Sequence, residues 1–366
     1  MDGDVVLVIV ILTALAFDFT NGFHDTANVV ATSISTHALT PRVAVGMAAI
    51  LNFAGAFISI EVAATVAKDV VQATAITPTV IFAGLVGAIA WNLITWYFGI
   101  PSSSSHALIG GMIGASFAAV GSSAVIGEGV LGKVIIPAIL APIIAFIIGV
   151  LAILVAYRIC WRLRPGSASR GFRLGQIASG GLLALAHGTN DAQKTMGVIT
   201  LALIANGNLP STGFEVPTWV IVTSATAIAL GTYTGGWRII RTMGTKIIKM
   251  DAAQGFSAQG AGAAVILASS HFGYPLSTTQ VIAGGVMGAG AGKRVSAVRW
   301  GVAGNLVVAW FLTLPAAAAI GAASYGFTSI FGDGAAGPLL VSVMAIGLGL
   351  TLFARRIRRG QPVPAG

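Results

Sequence analysis

Apolar segments of membrane-spanning length follow one another along almost the whole chain. A transmembrane helix needs about 20 mostly apolar residues, and such segments lie at 5–37, 43–67, 79–99, 102–126, 134–157, 175–205, 217–236, 252–272, 275–292, 298–323 and 338–354. Only 8% of the residues are charged, against about 25% in soluble domains. A helix satisfies its backbone groups within the segment, as a bilayer requires. The sequence therefore predicts an all-α polytopic membrane protein with about 11 crossings of the lipid bilayer.

The positions of the basic residues predict how the chain is oriented. Most of the 20 Lys and Arg residues lie at alternate ends of the apolar segments, namely at Arg42 and in 158–173, 238–249, 293–299 and 355–359. Only Lys68 and Lys133 lie at the opposite ends. Because cytoplasmic loops are enriched in Lys and Arg, the N-terminus is expected outside and the C-terminus in the cytoplasm. This bias accounts for the net charge of +9, so no nucleic-acid partner is predicted.

Two of the apolar segments, 5–37 and 175–205, carry related polar motifs. Gly22–Asn28 reads GFHDTAN and Gly188–Lys194 reads GTNDAQK, so Asp25 aligns with Asp191 and Asn28 aligns with Lys194. Both segments exceed the length of one crossing. We therefore predict that each is a discontinuous helix, broken near Asn21-Gly22 and near His187-Gly188.

A second pair of motifs shows that the chain repeats itself. Phe98–Ala115 (FGIPSSSSHALIGGMIGA) and Phe272–Ala289 (FGYPLSTTQVIAGGVMGA) share the Phe-Gly-X-Pro start and a Gly-Gly-X-X-Gly-Ala end. Five crossings per half would place the two copies in opposite orientations. The sequence thus predicts two inverted-topology repeats, 1–160 and 174–325, joined by a basic cytoplasmic linker at 161–173. An additional C-terminal helix and basic tail would occupy 326–366. This architecture is typical of secondary transporters.

Each copy of the second motif reads as the start of a helix. Pro101–Ser105 and Pro275–Thr279 place proline and hydroxyl residues where first turns favour them. Two such N-termini approaching from opposite leaflets would hold one tetraoxyanion. The alternative is that they are capped helix ends packed against small residues. The Gly110-Gly111-X-X-Gly114 and Gly284-Gly285-X-X-Gly288 runs are expected to be helix-packing surfaces.

The ionisable residues within the apolar segments are the candidate coupling groups, because charges at membrane depth are costly and usually functional. Asp25 and Asn28 offer the oxygen ligands that a small hard cation requires. Lys194, three residues after Asp191, would share a helix face with it and supply a tethered positive charge. A static buried salt bridge is the alternative.

Further polar residues lie close to these motifs. His24, His106 and His187 could carry protons or form interhelical hydrogen bonds, and His24 is expected to face away from Asp25. Asp18 has no acidic counterpart in the second half and is expected to face the external vestibule.

At these motifs the sequence resembles the inorganic phosphate transporter (PiT) family, over nearly the whole chain. The resemblance implies symport of phosphate with a cation. It implies a substrate site formed by Asp25, Asn28, Ser103, Ser104, Ser105, Asp191, Ser277, Thr278 and Thr279. We add Asn190 and Lys194 to this predicted site because they belong to the second polar motif. The coupling ion would be held by Asp25, Asn28 and Asp191.

Two departures from the sodium-coupled members refine this expectation. His24 stands where many members of the family carry asparagine before the aspartate, and Lys194 stands where sodium-coupled members carry a second asparagine. Both forms resemble the bacterial low-affinity, proton-coupled branch. In that branch the cargo can be a neutral metal–phosphate complex. The absence of a large central loop favours a multi-pass protein of a bacterial plasma membrane. No resident metal, no cofactor and no enzymatic activity are predicted, and a homodimer is left open.

Several alternatives remain at this stage. A sulfate permease or a sodium-coupled phosphate symporter would have the same architecture, although two carboxylates favour an anion that carries protons. An anion channel would need no intramembrane acid–base pair. An intramembrane hydrolase could use Ser105-His106 or His187 with Asp191, but adjacent Ser and His side chains point to different faces of a helix.

Overall fold

The computed structural model describes residues 2–210, 212–332 and 334–358. In these residues the chain is helical, with no β-strand beyond a single Val71–Val125 bridge. We number the helices α1 Asp2–Ser35, α2 Pro41–Gly55, α3 Glu61–Lys68, α4 Pro78–Phe98, α5 Ser104–Val120, α6 Gly127–Cys160, α7 Pro165–Ala205, α8 Thr218–Thr234, α9 Trp237–Arg241, α10 Ala252–His271, α11 Thr278–Lys293, α12 Trp300–Ser329 and α13 Ala336–Arg358. The all-α prediction is confirmed for this part of the chain.

Four of these helices, α1, α4, α6 and α12, are long and apolar enough to cross a membrane on length and composition alone. Several others, such as α5 and α2, are apolar but shorter. The helix α7 is long, but its central part is polar. The number of about 11 crossings and the orientation of the termini stay predictions.

The predicted breaks in the two long segments are wrong. Both α1 and α7 run without interruption through Asn21-Gly22 and His187-Gly188. Their glycines serve close packing instead: a Cβ atom on Gly22 would lie 2.5 Å from the Ile228 carbonyl oxygen of α8, and one on Gly188 would lie 2.1 Å from the Asn52 carbonyl oxygen of α2. Neither motif contains proline, so nothing in it removes a helical hydrogen bond.

The interruptions lie instead in the neighbouring helices. The chain leaves α2 after Gly55 and resumes as α3 at Glu61, and it leaves α8 at Gly235, whose φ of +70° suits glycine. The free backbone donors at the start of α3 are satisfied by α7, because Gln193 Oε1 accepts from the amides of Val62 (2.8 Å) and Ala63 (3.2 Å). The interrupted helices therefore border the two long helices that carry the polar motifs, α1 and α7.

The helices α4 and α5, and likewise α10 and α11, form antiparallel pairs whose connecting turns are largely buried. The two turns meet, since the Ser105 hydroxyl donates to the Leu276 carbonyl oxygen at 2.9 Å. The predicted glycine packing surfaces are confirmed: Gly114 lies against α12 and Gly288 lies against α6, each with no room for a Cβ atom.

A polar layer separates two apolar cores. One core contains α1 residues up to Phe17 and α7 residues from Ala192 onward, while the other contains α1 residues from Ala27 onward and α7 residues up to Ala186. The polar stretches between these limits, 18–26 of α1 and 187–191 of α7, therefore lie at one level of the molecule. Because the α4–α5 and α10–α11 turns reach this level, four chain segments from distant parts of the sequence converge there.

Candidate functional site

The carboxylate of Asp25, on α1, is the centre of the first half of the site. It is 2% exposed. Its Oδ1 atom accepts from the Ser104 hydroxyl at 3.0 Å and lies 2.6 Å from His24 Nδ1. Its Oδ2 atom lies 3.3 Å from the Thr278 hydroxyl. A buried carboxylate is stable only with such partners, and here they come from both halves of the chain.

His24 contradicts the expectation that it faces away from Asp25. Besides contacting that carboxylate, its ring reaches α4, with Nε2 3.1 Å from the Thr95 hydroxyl. The Thr95 hydroxyl in turn receives a hydrogen bond from Ser102 at 2.9 Å. Side-chain torsions let adjacent residues meet even though their Cα–Cβ bonds diverge. Thr95, near the end of α4, therefore lies next to the site, and no pattern in the sequence had pointed to it.

Asn28 connects α1 to the first turn of α11. Its Nδ2 atom donates to the hydroxyls of Thr279 (2.8 Å) and Thr278 (3.2 Å). Its carbonyl oxygen has no hydrogen-bond partner among the described residues although it is buried. Asn28 Oδ1 is therefore a free hydrogen-bond acceptor beside the two hydroxyls, and it could coordinate a cation or accept a hydrogen bond from a ligand.

Asp191 is the centre of the second half of the site. Lys194 Nζ contacts its Oδ1 atom, and His187 Nε2 lies 3.1 Å from its Oδ2 atom. The Lys194 ammonium also donates to the Leu276 carbonyl oxygen at 2.8 Å. Asp191 and Lys194 are 0% and 1% exposed, so this is a fully buried ion pair tied to the α10–α11 turn.

The two halves meet at Thr278. Its hydroxyl lies 3.3 Å from Asp25 Oδ2 and 3.4 Å from Asp191 Oδ2, so one oxygen stands between both carboxylates. The sequence symmetry that aligned Asp25 with Asp191 therefore corresponds to spatial proximity.

The hydroxyl residues of the two helix starts divide into two roles. Ser103 caps α5 by accepting from the His106 amide, and Ser277 caps α11 by accepting from the Gln280 amide. For these two residues the alternative prediction, a capped helix end, is therefore confirmed. The residues that follow them, Ser104, Thr278 and Thr279, instead face the Asp25 carboxylate.

The side chains of Asn190 and Ser105 form hydrogen bonds with residues at or near the α10–α11 turn and not with the carboxylates. The Asn190 amide donates to Ser270 Oγ at 2.9 Å and to the Tyr274 carbonyl oxygen at 3.1 Å, both close to the α10–α11 turn. Ser105 holds the same turn through Leu276. Both residues therefore position the second helix start.

Asp25, His187 and Asp191 present possible metal-ligating atoms within 4.8 Å of one another. This set fits a resident metal ion poorly, because both oxygens of Asp191 already face a nitrogen, from Lys194 and from His187. A divalent ion would have to displace the tethered ammonium. The Lys194 ammonium already supplies the positive charge that a bound cation would bring to Asp191.

The site is closed in this conformation. The carboxylates, Lys194 and the hydroxyl residues of both helix starts are all at most 2% exposed. Two buried helix N-termini, with their partial positive ends and hydroxyls, face two carboxylates and one ammonium. Such a site can hold a small polar anion together with protons, and it requires movement before anything can enter.

The comparisons with known proteins agree on one family. Residues 21–321 match the phosphate transporter family. A Mycobacterium bovis protein named a probable low-affinity inorganic phosphate transporter is 56% identical over 326 residues, which cover 89% of this chain and 78% of that protein. Proteins with the same name from Rhizobium meliloti and Bacillus subtilis are 49% and 47% identical, covering 87% and 88% of this chain and 95% and 96% of the relatives.

A solved structure of a sodium-dependent phosphate transporter has the same fold. Its TM-score is 0.79 at 24% sequence identity, and the match covers 87% of this chain and 98% of that one. At this identity the likeness concerns the fold alone. Together with the apolar helices, the family match shows that this multi-pass membrane protein belongs to the phosphate transporter family.

Proposed function

We propose that this protein is a secondary active symporter that imports inorganic phosphate with protons by alternating access. One observation carries the choice of coupling ion: Lys194, at the position that aligns with Asn28, is buried and paired with Asp191. An ammonium there takes the place of a bound monovalent cation. The second half then needs no sodium ion, and the remaining coupling groups, Asp25 with His24, are ones that exchange protons.

Phosphate would bind between the two helix starts. The first turns of α5 and α11 offer backbone N–H groups and the hydroxyls of Ser104, Thr278 and Thr279, which suit a tetrahedral oxyanion. The carboxylates of Asp25 and Asp191 would accept hydrogen bonds from the protonated oxygens of phosphate. Sulfate has no such protons at neutral pH, so it would offer these acceptors no hydrogen-bond donor. This contrast favours phosphate over sulfate at this site.

The geometry suggests an order of events. A proton on Asp25 or His24 lowers the negative charge of the site, and the anion then enters between the helix starts. Loss of that proton on the other side restores the Asp25 charge and expels the anion. Asn28, with its free carbonyl oxygen, would bind a hydroxyl of the phosphate. Lys194 stays paired with Asp191 and keeps the second half neutral throughout.

The architecture expected of such a transporter is supported by the order of the helices. In each half a long helix that carries a polar motif (α1, α7) is followed by an interrupted one (α2–α3, α8–α9), a helical pair (α4–α5, α10–α11) and a single long helix (α6, α12). We infer from this order the two inverted repeats 1–160 and 174–325. The linker 161–173 and the C-terminus would be cytoplasmic, the N-terminus would be outside, and the membrane would be the bacterial plasma membrane.

Transport by the purified protein in proteoliposomes tests this function. We expect concentrative uptake of radiolabelled phosphate under an imposed proton gradient and none under a sodium gradient alone. Strict sodium dependence would contradict the role of Lys194. Uptake that never exceeds equilibrium would indicate a channel, and uptake of sulfate in preference to phosphate would indicate a sulfate permease. Adding and chelating divalent cations in the same assay tests whether a metal accompanies phosphate.

A further inference from the structure

Asp18 is the one acidic side chain of α1 within the apolar region that the proposed transport site does not use. It was expected to face an external vestibule, but it is 0% exposed, so that expectation is wrong for this closed conformation. Asp18 lies two turns before Asp25 on α1 and on the same helix face, about 10 Å away along the axis. It therefore occupies the region between the Asp25–Asp191 site and the end where α1 begins and α7 ends.

No described group donates a hydrogen bond to either oxygen of Asp18. The Thr195 and Asn21 side chains lie beside the carboxylate and are its nearest possible hydrogen-bond donors, yet neither contact meets full hydrogen-bond geometry. The Thr195 hydroxyl and both polar atoms of the Asn21 side chain are themselves buried without partners. Three neighbouring polar side chains thus leave their hydrogen-bonding capacity unused, although most buried polar groups in proteins are satisfied.

The charged groups around Asp18 do not neutralise the negative charge that its ionised carboxylate would carry. From α7, the Asp191 carboxylate and the Lys194 ammonium act on it with opposite signs, and those two groups are already paired with each other. Two of the other helices that pack against α1, α4 and α8, contain no Asp, Glu, Lys, Arg or His residue, their ionisable side chains being Tyr97 and Tyr233. The helix α9, which carries Arg238 and Arg241, begins beside Phe23, more than one turn further along α1 than Asp18. A buried, unpaired carboxylate neutralises by binding a proton.

We propose that Asp18 is a second proton-binding site, held as a neutral carboxylic acid in the closed conformation. A metal ion is the weaker occupant, because it would need several oxygen ligands and would be repelled by Lys194. This inference rests on the proposed proton coupling and deepens it. One proton from the aqueous phase on the side where α1 begins converts the Asp18 carboxylate to the acid, and its release when the site opens restores the carboxylate.

Infrared difference spectroscopy tests the protonation state without any transport assay. The spectrum of the wild-type protein minus that of Asp18→Asn is expected to contain the C=O stretch of a protonated carboxyl group at neutral pH. Asp4→Asn, which changes an exposed carboxylate on the same helix, is the matched control and should show no such band. An Asp18 difference spectrum that shows only the bands of an ionised carboxylate would overturn the proposal.

A comparison of net uptake with exchange tests the role of that proton. Asparagine resembles the protonated acid in shape and charge, so Asp18→Asn should fold and elute like the wild type. We expect it to lose proton-driven accumulation of phosphate and to keep exchange of external for internal phosphate, which requires no net proton movement. Retained accumulation, or loss of exchange as well, would refute this role. If the wild type shows no proton-driven uptake, the proposed function fails, and the infrared band still decides whether Asp18 holds a proton.

Discussion

Replacing Lys194 by methionine removes the one buried ammonium of the site and keeps most of the side-chain volume. Within the described residues, the carboxylate of Asp191 would then retain only His187 and the Thr278 hydroxyl as partners. Removing one partner of a buried ion pair costs about 3–5 kcal/mol, since the other charge stays buried without compensation. For a chain of this length this corresponds to a fall in Tm of roughly 4–6 °C.

The chain offers a matched control for this change. Lys293 forms the same kind of contact with Asp251, at 2.7 Å, but its side chain is 50% exposed. Exposed pairs contribute about 0–1 kcal/mol, so Lys293→Met should shift Tm by only about 1 °C. A second comparison removes both buried charges: Asp191→Asn combined with Lys194→Met should recover part of the stability, because no unpaired charge remains.

The assay is thermal unfolding of the purified protein, followed by phosphate uptake in proteoliposomes with sodium or choline as the monovalent cation. Lys194→Asn copies the arrangement of Asp25 and Asn28 in the second half. We expect sodium, and not choline, to raise the Tm of this variant and to support part of its uptake. The reasoning is refuted if Lys194→Met unfolds like the wild type and keeps proton-driven uptake, or if Lys194→Asn responds equally to sodium and choline.

Three further predictions concern packing, binding and topology. Gly188→Ala should abolish the folded peak in size-exclusion chromatography, whereas Gly46→Ala should not, because a Cβ atom at Gly46 meets nothing within 4 Å. Ser104→Ala should raise the KM for phosphate by about 10-fold or more, the value of one hydrogen bond to a charged group, whereas Ser123→Ala, at an exposed position beyond the end of α5, should not change it. In a cysteine-free background, a membrane-impermeant thiol reagent should label Ser123→Cys in intact cells and label Ser169→Cys only after permeabilisation; the reverse order would contradict the predicted orientation.

The sequence predicted those features of the protein that depend on the spacing of residues along one helix. The lengths and polarity of the apolar segments predicted an all-helical membrane protein, and the alignment of the two Gly-X-X-Asp motifs paired Asp25 with Asp191. The contact between Asp191 and Lys194 followed from their spacing of three residues. The helix starts at Ser104 and Thr278 followed from the preference for hydroxyl residues at N-caps, although Pro101 and Pro275 lie two residues before the N-caps and not in the first turns as predicted. The family resemblance carried the phosphate expectation. These features depend on neighbours within one or two turns.

Packing between distant segments decided the rest. The sequence predicted breaks at Gly22 and Gly188, and only the backbones of α8 and α2 beside them show that these glycines are close contacts. Whether a hydroxyl caps its helix, like Ser103, or faces the site, like Ser104, depends on which helix stands opposite. The partners of Asn28 lie some 250 residues away in sequence. The burial of Asp18 likewise arises because α7 covers that face of α1, a contact that no local pattern encodes.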